Sequence, residues 1–126
     1  SACSESQCGN YTNLTETTLR TDNSNPRHIP IPVGWYRYTG TDAGIMATSC
    51  PKGNNQCGAK QQVWIKGGLP AVSTGPVDVD ACIRIENPNG EPLCCDLQNT
   101  ICVENCGVFY IYLFRPLRGD TNFCFS

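Results

Sequence analysis

Ten of the 126 residues are cysteine, and thiol oxidation is the chemistry for which this chain is best equipped. Cys3, Cys8, Cys50, Cys57, Cys82, Cys94, Cys95, Cys102, Cys106 and Cys124 form an even set, far more than a reducing cytosol leaves as free thiols. The spacings Cys3-x4-Cys8, Cys50-x6-Cys57 and Cys102-x3-Cys106 contain no C-x-x-C, and His28 is the one histidine. Zinc coordination is therefore not expected, and up to five bridges are. Ten cysteines pair in about 945 ways, so spacing alone leaves the connectivity open. Cys94 and Cys95 are neighbours, and side chains of successive extended residues point to opposite faces, so each is expected to bridge to a different partner.

Three other motifs carry chemistry. Arg118-Gly119-Asp120 lies between Pro116 and Cys124, where a short anchored loop would aim a guanidinium and a carboxylate in opposite directions, as an integrin-type receptor requires. Asn10-Tyr11-Thr12 and Asn13-Leu14-Thr15 both satisfy the N-glycosylation rule within a polar stretch. Two glycans three residues apart crowd each other, so one occupied asparagine is expected. Trp35, Tyr36, Tyr38 and Trp64 are candidates for stacking on sugars, against the plainer reading that they belong to the framework. Asp78 and Asp80 share one strand face and could help bind a cation such as Ca²⁺, but without a ligand loop they read as part of a solvated strand face with Arg84 and Glu86 pairing across it. His28, within Pro26-Arg27-His28-Ile29-Pro30, has no nucleophile motif beside it and reads as an exposed loop residue. No catalytic residue, metal or cofactor is expected.

The charge balance narrows the partners. A formal charge of −2 and a pI near 5.2, with Lys and Arg scattered singly, offer no electrostatic footprint for nucleic acid. The longest apolar run, 108–114, is too short to cross a bilayer as a helix, so membrane insertion is not expected. Ser1 stands where an initiator would, with no apolar leader before it, and the sequence reads as a mature secreted product.

These residues must be positioned by β structure. From Gly34 onward short strand-like runs alternate with Gly, Pro and Asn punctuation, at 35–39, 62–66, 77–86, 100–104 and 108–114. In the third run Val77, Val79, Ala81, Ile83 and Ile85 share one face and Asp78, Asp80, Arg84 and Glu86 the other. Cys82 falls on the polar face, so either its bridge ties a second layer over the strand or a bulge shifts the register near it. The run 108–114 is apolar on both faces and is expected at the middle of the core, its Tyr hydroxyls needing partners. Asn87-Pro88-Asn89-Gly90 predicts a turn leading to the Cys94 segment. Residues 1–33, dominated by Ser, Thr, Asn and Asp and then by Pro, are expected to form a polar arm, with at most one helical turn near Thr17. The expected fold is mostly β: a small, disulfide-rich single domain of short antiparallel strands, spanning 34–126, with an irregular N-terminal arm.

The ordered string Gly34-Trp35-Tyr36-Arg37-Tyr38, Gly40, Met46, Cys50, Cys57, Val63-Trp64-Ile65, Gly75-Pro76-Val77, Cys82, Cys94-Cys95, Cys106-Gly107 and Phe109-Tyr110-Ile111-Tyr112-Leu113 resembles the cysteine-rich D8C domain. That domain is found in uromodulin, in the zymogen-granule glycoprotein of pancreas and in liver zona-pellucida-type proteins. The resemblance covers roughly 34–124. It implies pairing of Cys50 with Cys94, Cys82 with Cys95 and Cys57 with Cys124, leaving Cys3, Cys8, Cys102 and Cys106. Cys102, and a tail carrying Cys124 alone, depart from the family pattern and imply one rerouted bridge. The family usually sets this domain within a larger protein, whereas here it fills the chain. Together these readings predict a secreted, non-enzymatic recognition or adhesion glycoprotein module that presents loops or glycan to cell-surface or microbial partners. The alternative is a carbohydrate-binding lectin or a defence or toxin protein. Oligomeric state is left open.

Overall fold

A computed structural model describes residues 3–53, 55–72 and 74–126. Among them seven strands follow one another: β1 (Thr12–Leu14), β2 (Gly34–Tyr38), β3 (Gln61–Ile65), β4 (Val77–Glu86), β5 (Pro92–Asn105), β6 (Tyr110–Phe114) and β7 (Thr121–Phe123). They make one sheet in the order β1-β2-β6-β5-β4-β3-β7. The mostly β character is as expected, and all five anticipated runs fall on strands. The sheet is mixed, however: β1 runs parallel to β2 and β7 parallel to β3, while the four pairings between them are antiparallel.

The sheet curls until its two ends meet. Phe125 bridges to both Arg20 and Met46, and the backbone bonds Thr21 N to Phe125 O and Phe125 N to Leu19 O, each 2.8 Å, join the segments after β1 and β7. Period-two alternation sends one set of side chains inward. Tyr36, Val63, Ile65, Ala81, Val103, Tyr112, Phe114 and Phe123 are buried there with Phe125. Stacked rings fill the interior, with centroids 3.8 Å apart for Phe114 and Phe123 and for Tyr38 and Phe125.

β4 has the predicted boundaries, and of the two alternatives at Cys82 the register shift is the one seen, since its bridge stays within the sheet. Its sulfur is bonded to Cys95 on the neighbouring strand. The β4–β5 register breaks just beyond it, since Ile83 faces Leu97 but Ile85 faces Leu93. The extra residues lie on β5, so a bulge carries the two adjacent cysteines. The turn before them forms as expected: Gly90 N donates to Asn87 O at 2.9 Å, and Asn87 Oδ1 accepts from the amides of Asn89 and Glu91.

The strand expected over 108–114 begins two residues later. Cys106 N donates to Phe109 O at 2.8 Å, and Gly107 takes a φ of 95° that a side chain would oppose, so Val108 and Phe109 belong to the β5–β6 turn. Val108 is 91% exposed. The middle of the strand order is β5. The Tyr112 hydroxyl does find partners, accepting from Met46 N at 3.0 Å and donating to Gly44 O at 3.3 Å.

Residues 3–33 are irregular over most of their length, with one 3-10 turn at Thr17–Leu19. They are nonetheless sewn to the sheet: β1 adds an edge strand, and Leu14, Leu19 and Ile31 are buried in the core. Polar composition concealed this because Leu14, Leu19 and Ile31 stand too far apart in a polar stretch to show a period. The buried Asn122 of β7 completes the attachment. Its Oδ1 accepts from Ile29 N at 3.0 Å, and its Nδ2 donates to Arg27 O at 2.9 Å and to Cys57 O at 3.0 Å.

Candidate recognition surface

All ten cysteines are bonded, as Cys3–Cys102, Cys8–Cys106, Cys50–Cys94, Cys57–Cys124 and Cys82–Cys95, with Cα separations of 5.7, 5.7, 5.6, 5.3 and 4.8 Å. The last three join the partners that the family resemblance implies. Cys57, Cys82 and Cys124 pack with Ala47 and Trp64 in a second small core on the outside of the sheet. Cys50 and Cys95 pack against it, and Trp64 Nε1 donates to Cys94 O at 2.8 Å. The other two bridges fasten residues 3–8 along β5 and the turn that follows it, where Gln7 N also donates to Glu104 Oε1 at 2.7 Å.

On this scaffold Arg118, Gly119 and Asp120 form an exposed tight turn. Thr121 N donates to Arg118 O at 2.9 Å, and Gln61 N to Asp120 O at 3.0 Å, so backbone bonds hold both ends of the turn. Neither Arg118 nor Asp120 makes an ion pair with a described residue.

Asn10 and Asn13 are both exposed. Asn10 closes a turn, its amide donating to Gln7 O at 2.9 Å. Asn13 lies in β1 opposite Arg37 of β2. Arg37 extends its guanidinium over the Phe109 ring, 4.1 Å from the centroid, and Tyr11 packs on the same ring at 5.3 Å. A polar cavity of about 270 Å³ opens beside them, lined by Arg37, Thr39, Thr41, Asp42 and Phe109 among others. Motif reading finds the two asparagines but misses this cluster, because residues 11, 37 and 109 meet only through strand register.

Of the four aromatics weighed for sugar stacking, Tyr36, Tyr38 and Trp64 are buried and only Trp35 is partly open. The Tyr38 hydroxyl donates to Glu16 O at 2.6 Å, and burial pushes its pKa up to about 12. Asp78 and Asp80 are exposed, whereas Arg84 is buried, its Nη2 3.4 Å from Glu86 Oε2. Carboxylates and cysteines converge at Asp78 with Cys3 and Cys102, and at Glu104 with Cys8 and Cys106. In both places the sulfurs are joined to each other and are not thiolate ligands. His28, expected to be exposed, is partly buried in its loop, its Nδ1 without a hydrogen-bond partner among the described residues. Among the described residues no helix is long and apolar enough to cross a membrane.

The uromodulin-like D8C domain family matches residues 36–125. The chain is 33% identical over 93 residues to uromodulin of Mus musculus, an alignment covering 72% of this chain and 14% of that protein. It is 30% identical over 120 residues to uromodulin of Rattus norvegicus, covering 93% of the chain and 18% of the relative. It is 28% identical over 108 residues to the pancreatic secretory granule membrane major glycoprotein of Canis lupus familiaris, covering 83% and 20%. The chain thus spans a fifth or less of the length of these relatives.

Proposed function

From the premise that this chain belongs to the uromodulin-like D8C domain family, we propose that it is a secreted glycoprotein module that recognises partners without turnover, displaying glycan and loops from a rigid bridged scaffold. One observation carries the reading. The segment bearing Asn10 and Asn13 is polar and open to solvent, yet it is fastened to the sheet at Cys3–Cys102 and Cys8–Cys106. Such a segment offers an acceptor for sugar on a base that does not move. The word glycoprotein in the name of the canine relative supports it. Microbial lectins are the partner class this display suits, because they bind exposed glycan irrespective of the carrier's surface.

Expression in a secretory eukaryotic host, followed by glycopeptide mass spectrometry, should find sugar at Asn10 or Asn13. The product should be captured by a mannose-binding bacterial lectin and escape capture after enzymatic deglycosylation. Capture that persists on the deglycosylated protein would overturn the glycan-display reading.

A second reading has its own support in the exposed Arg118-Gly119-Asp120 turn, held at both ends by backbone bonds. A cell-surface integrin that engages it would read the carboxylate length closely. Asp120→Glu should then abolish integrin-dependent cell spreading with the fold intact; unchanged spreading would leave the tripeptide a turn and nothing more.

A further inference from the structure

The surroundings of Asn13 differ from those of Asn10 in a way that bears on how an attached sugar would sit. Leu14 is buried in the core, so alternation along β1 turns Asn13 to the outer face, beside its register partner Arg37. There the Phe109 ring is contacted by the Arg37 guanidinium, 4.1 Å from its centroid, and by Tyr11, two residues before Asn13, whose ring lies at 5.3 Å and is tilted by 55°. All three side chains are partly exposed. The polar cavity of about 270 Å³ continues from this cluster past Thr39, Thr41 and Asp42.

Resting on the glycoprotein reading above, we propose that the glycan on Asn13 is docked on the protein. Its first N-acetylglucosamine lies against the Tyr11–Phe109 platform, and its polar groups meet Arg37 and the cavity lined by Thr39, Thr41 and Asp42. The chemistry fits both halves of a sugar. The C–H face of a pyranose is apolar and stacks on an aromatic ring, whereas its hydroxyl and acetamido groups need donors and acceptors. The platform is ordered beforehand by cation–π and ring contacts, so little side-chain freedom is lost when it is covered. The covalent link to Asn13 matters most, because a tether raises the local sugar concentration enough for a contact too weak to retain a free saccharide. Asn10 sits instead in an exposed turn two residues after Cys8, its backbone amide donating to Gln7 O, and a glycan there extends into solvent.

Two variants separate the sites: Asn10→Gln, which leaves Asn13 as acceptor, and Asn13→Gln, which leaves Asn10. Both are made in a secretory host and trimmed enzymatically to one N-acetylglucosamine. The acetyl methyl proton resonance of the Asn13-linked sugar should lie upfield of the Asn10-linked one, as a ring current requires. The Asn13-linked sugar should also raise Tm by about 2–4 °C over the doubly substituted, unmodified chain, and the Asn10-linked sugar should leave Tm unchanged. Tyr11→Leu, which keeps apolar packing, and Phe109→Ala should each shrink both effects, measured as the difference between modified and unmodified protein in the same background. Equal resonances and equal Tm values at the two sites would overturn the docking, as would effects untouched by either ring variant. Asn13 left bare in the Asn10→Gln variant overturns it too. Sugar at Asn10 alone in the unaltered chain sinks this inference and keeps the glycoprotein reading; sugar at neither site sinks both.

Discussion

Tyr38 and Tyr112 place phenolic hydroxyls where the curled sheet shuts out water. Burial pushes the Tyr38 hydroxyl up to about 12 and raises that of Tyr112 as well, because an isolated phenolate would lose its hydration there. Above the ordinary tyrosine value near 10 the unfolded chain has released these protons while the folded chain still holds them. The folded state then binds more protons, so stability falls as pH rises. The contribution of Tyr38 is whole below about 10 and is lost between there and about 12. In a phenolate absorbance titration, Tyr38 and Tyr112 should ionise above the ordinary tyrosine value near 10, together with loss of the near-ultraviolet dichroism. Ionisation of these two at the ordinary value in folded protein would contradict this. Arg84 makes a second test at the same scale. Its side chain is 2% exposed and its pair with Glu86, 26% exposed, is 3.4 Å long, while Nε and Nη1 have no hydrogen-bond partner among the described residues. Removing the charge by Arg84→Met should change stability by less than about 1 kcal/mol. Glu86→Ala, which leaves the guanidinium buried alone, should cost about 1–3 kcal/mol in urea unfolding, less than for a fully buried pair because Glu86 still meets water. The reverse order would show that the pair is not what compensates Arg84.

The last strand, β7, is three residues long, and its weight in the fold comes from Asn122. That side chain satisfies Ile29 N, Arg27 O and Cys57 O at once, so it joins the N-terminal segment to the far end of the sheet. Asn122→Ala strands three backbone groups and should cost about 2–4 kcal/mol in urea unfolding, with amide exchange at Ile29 quickened more than at Val103 in the core. A loss below about 0.5 kcal/mol would mean that the segment is held by its apolar residues alone. Asn122 also explains why some elements could be read from the chain and others not. β4 was legible because ten residues alternate strictly, and the turn after it because Asn-Gly demands its own geometry. β1 and β7 were not: three residues hold too little periodicity, and each is fixed by partners distant in sequence, Arg37 for Asn13 and Gln62 for Asn122. The same limit applied to the candidate site. Asn10, Asn13 and Arg118-Gly119-Asp120 announce themselves as local strings, whereas the Tyr11–Arg37–Phe109 cluster exists only through pairing of β1 with β2 and of β2 with β6. Sequence also left Cys3, Cys8, Cys102 and Cys106 unassigned, since spacing does not reveal which strand the first segment lies along.

At the scale of the whole molecule, the two bridges of that first segment act as one fastening. Cys3–Cys102 and Cys8–Cys106 close sequence separations of 99 and 98 residues. In the chain-entropy picture a loop of this size restricts the unfolded chain by about 4.7 kcal/mol. The bridges cross in sequence, however, with neighbouring ends at both sides. Once either is closed, the other encloses only about nine residues, the stretches from Cys3 to Cys8 and from Cys102 to Cys106, and adds about 2.5 kcal/mol. Replacing one pair by serine should therefore cost about 2.5 kcal/mol, whichever pair is chosen, while replacing both should cost about 7 kcal/mol, more than twice as much. Urea unfolding of the two double-serine variants and the quadruple variant measures the cycle directly. Strict additivity would mean that each bridge acts through its own native contacts, Cys102 in the sheet and Cys106 beside the turn, and not through the chain they jointly close. The non-additive result has a functional corollary. A module that displays sugar from residues 10–13 would keep residues 3–8 seated after losing either bridge and release them only when both are gone, with β1 still paired to β2.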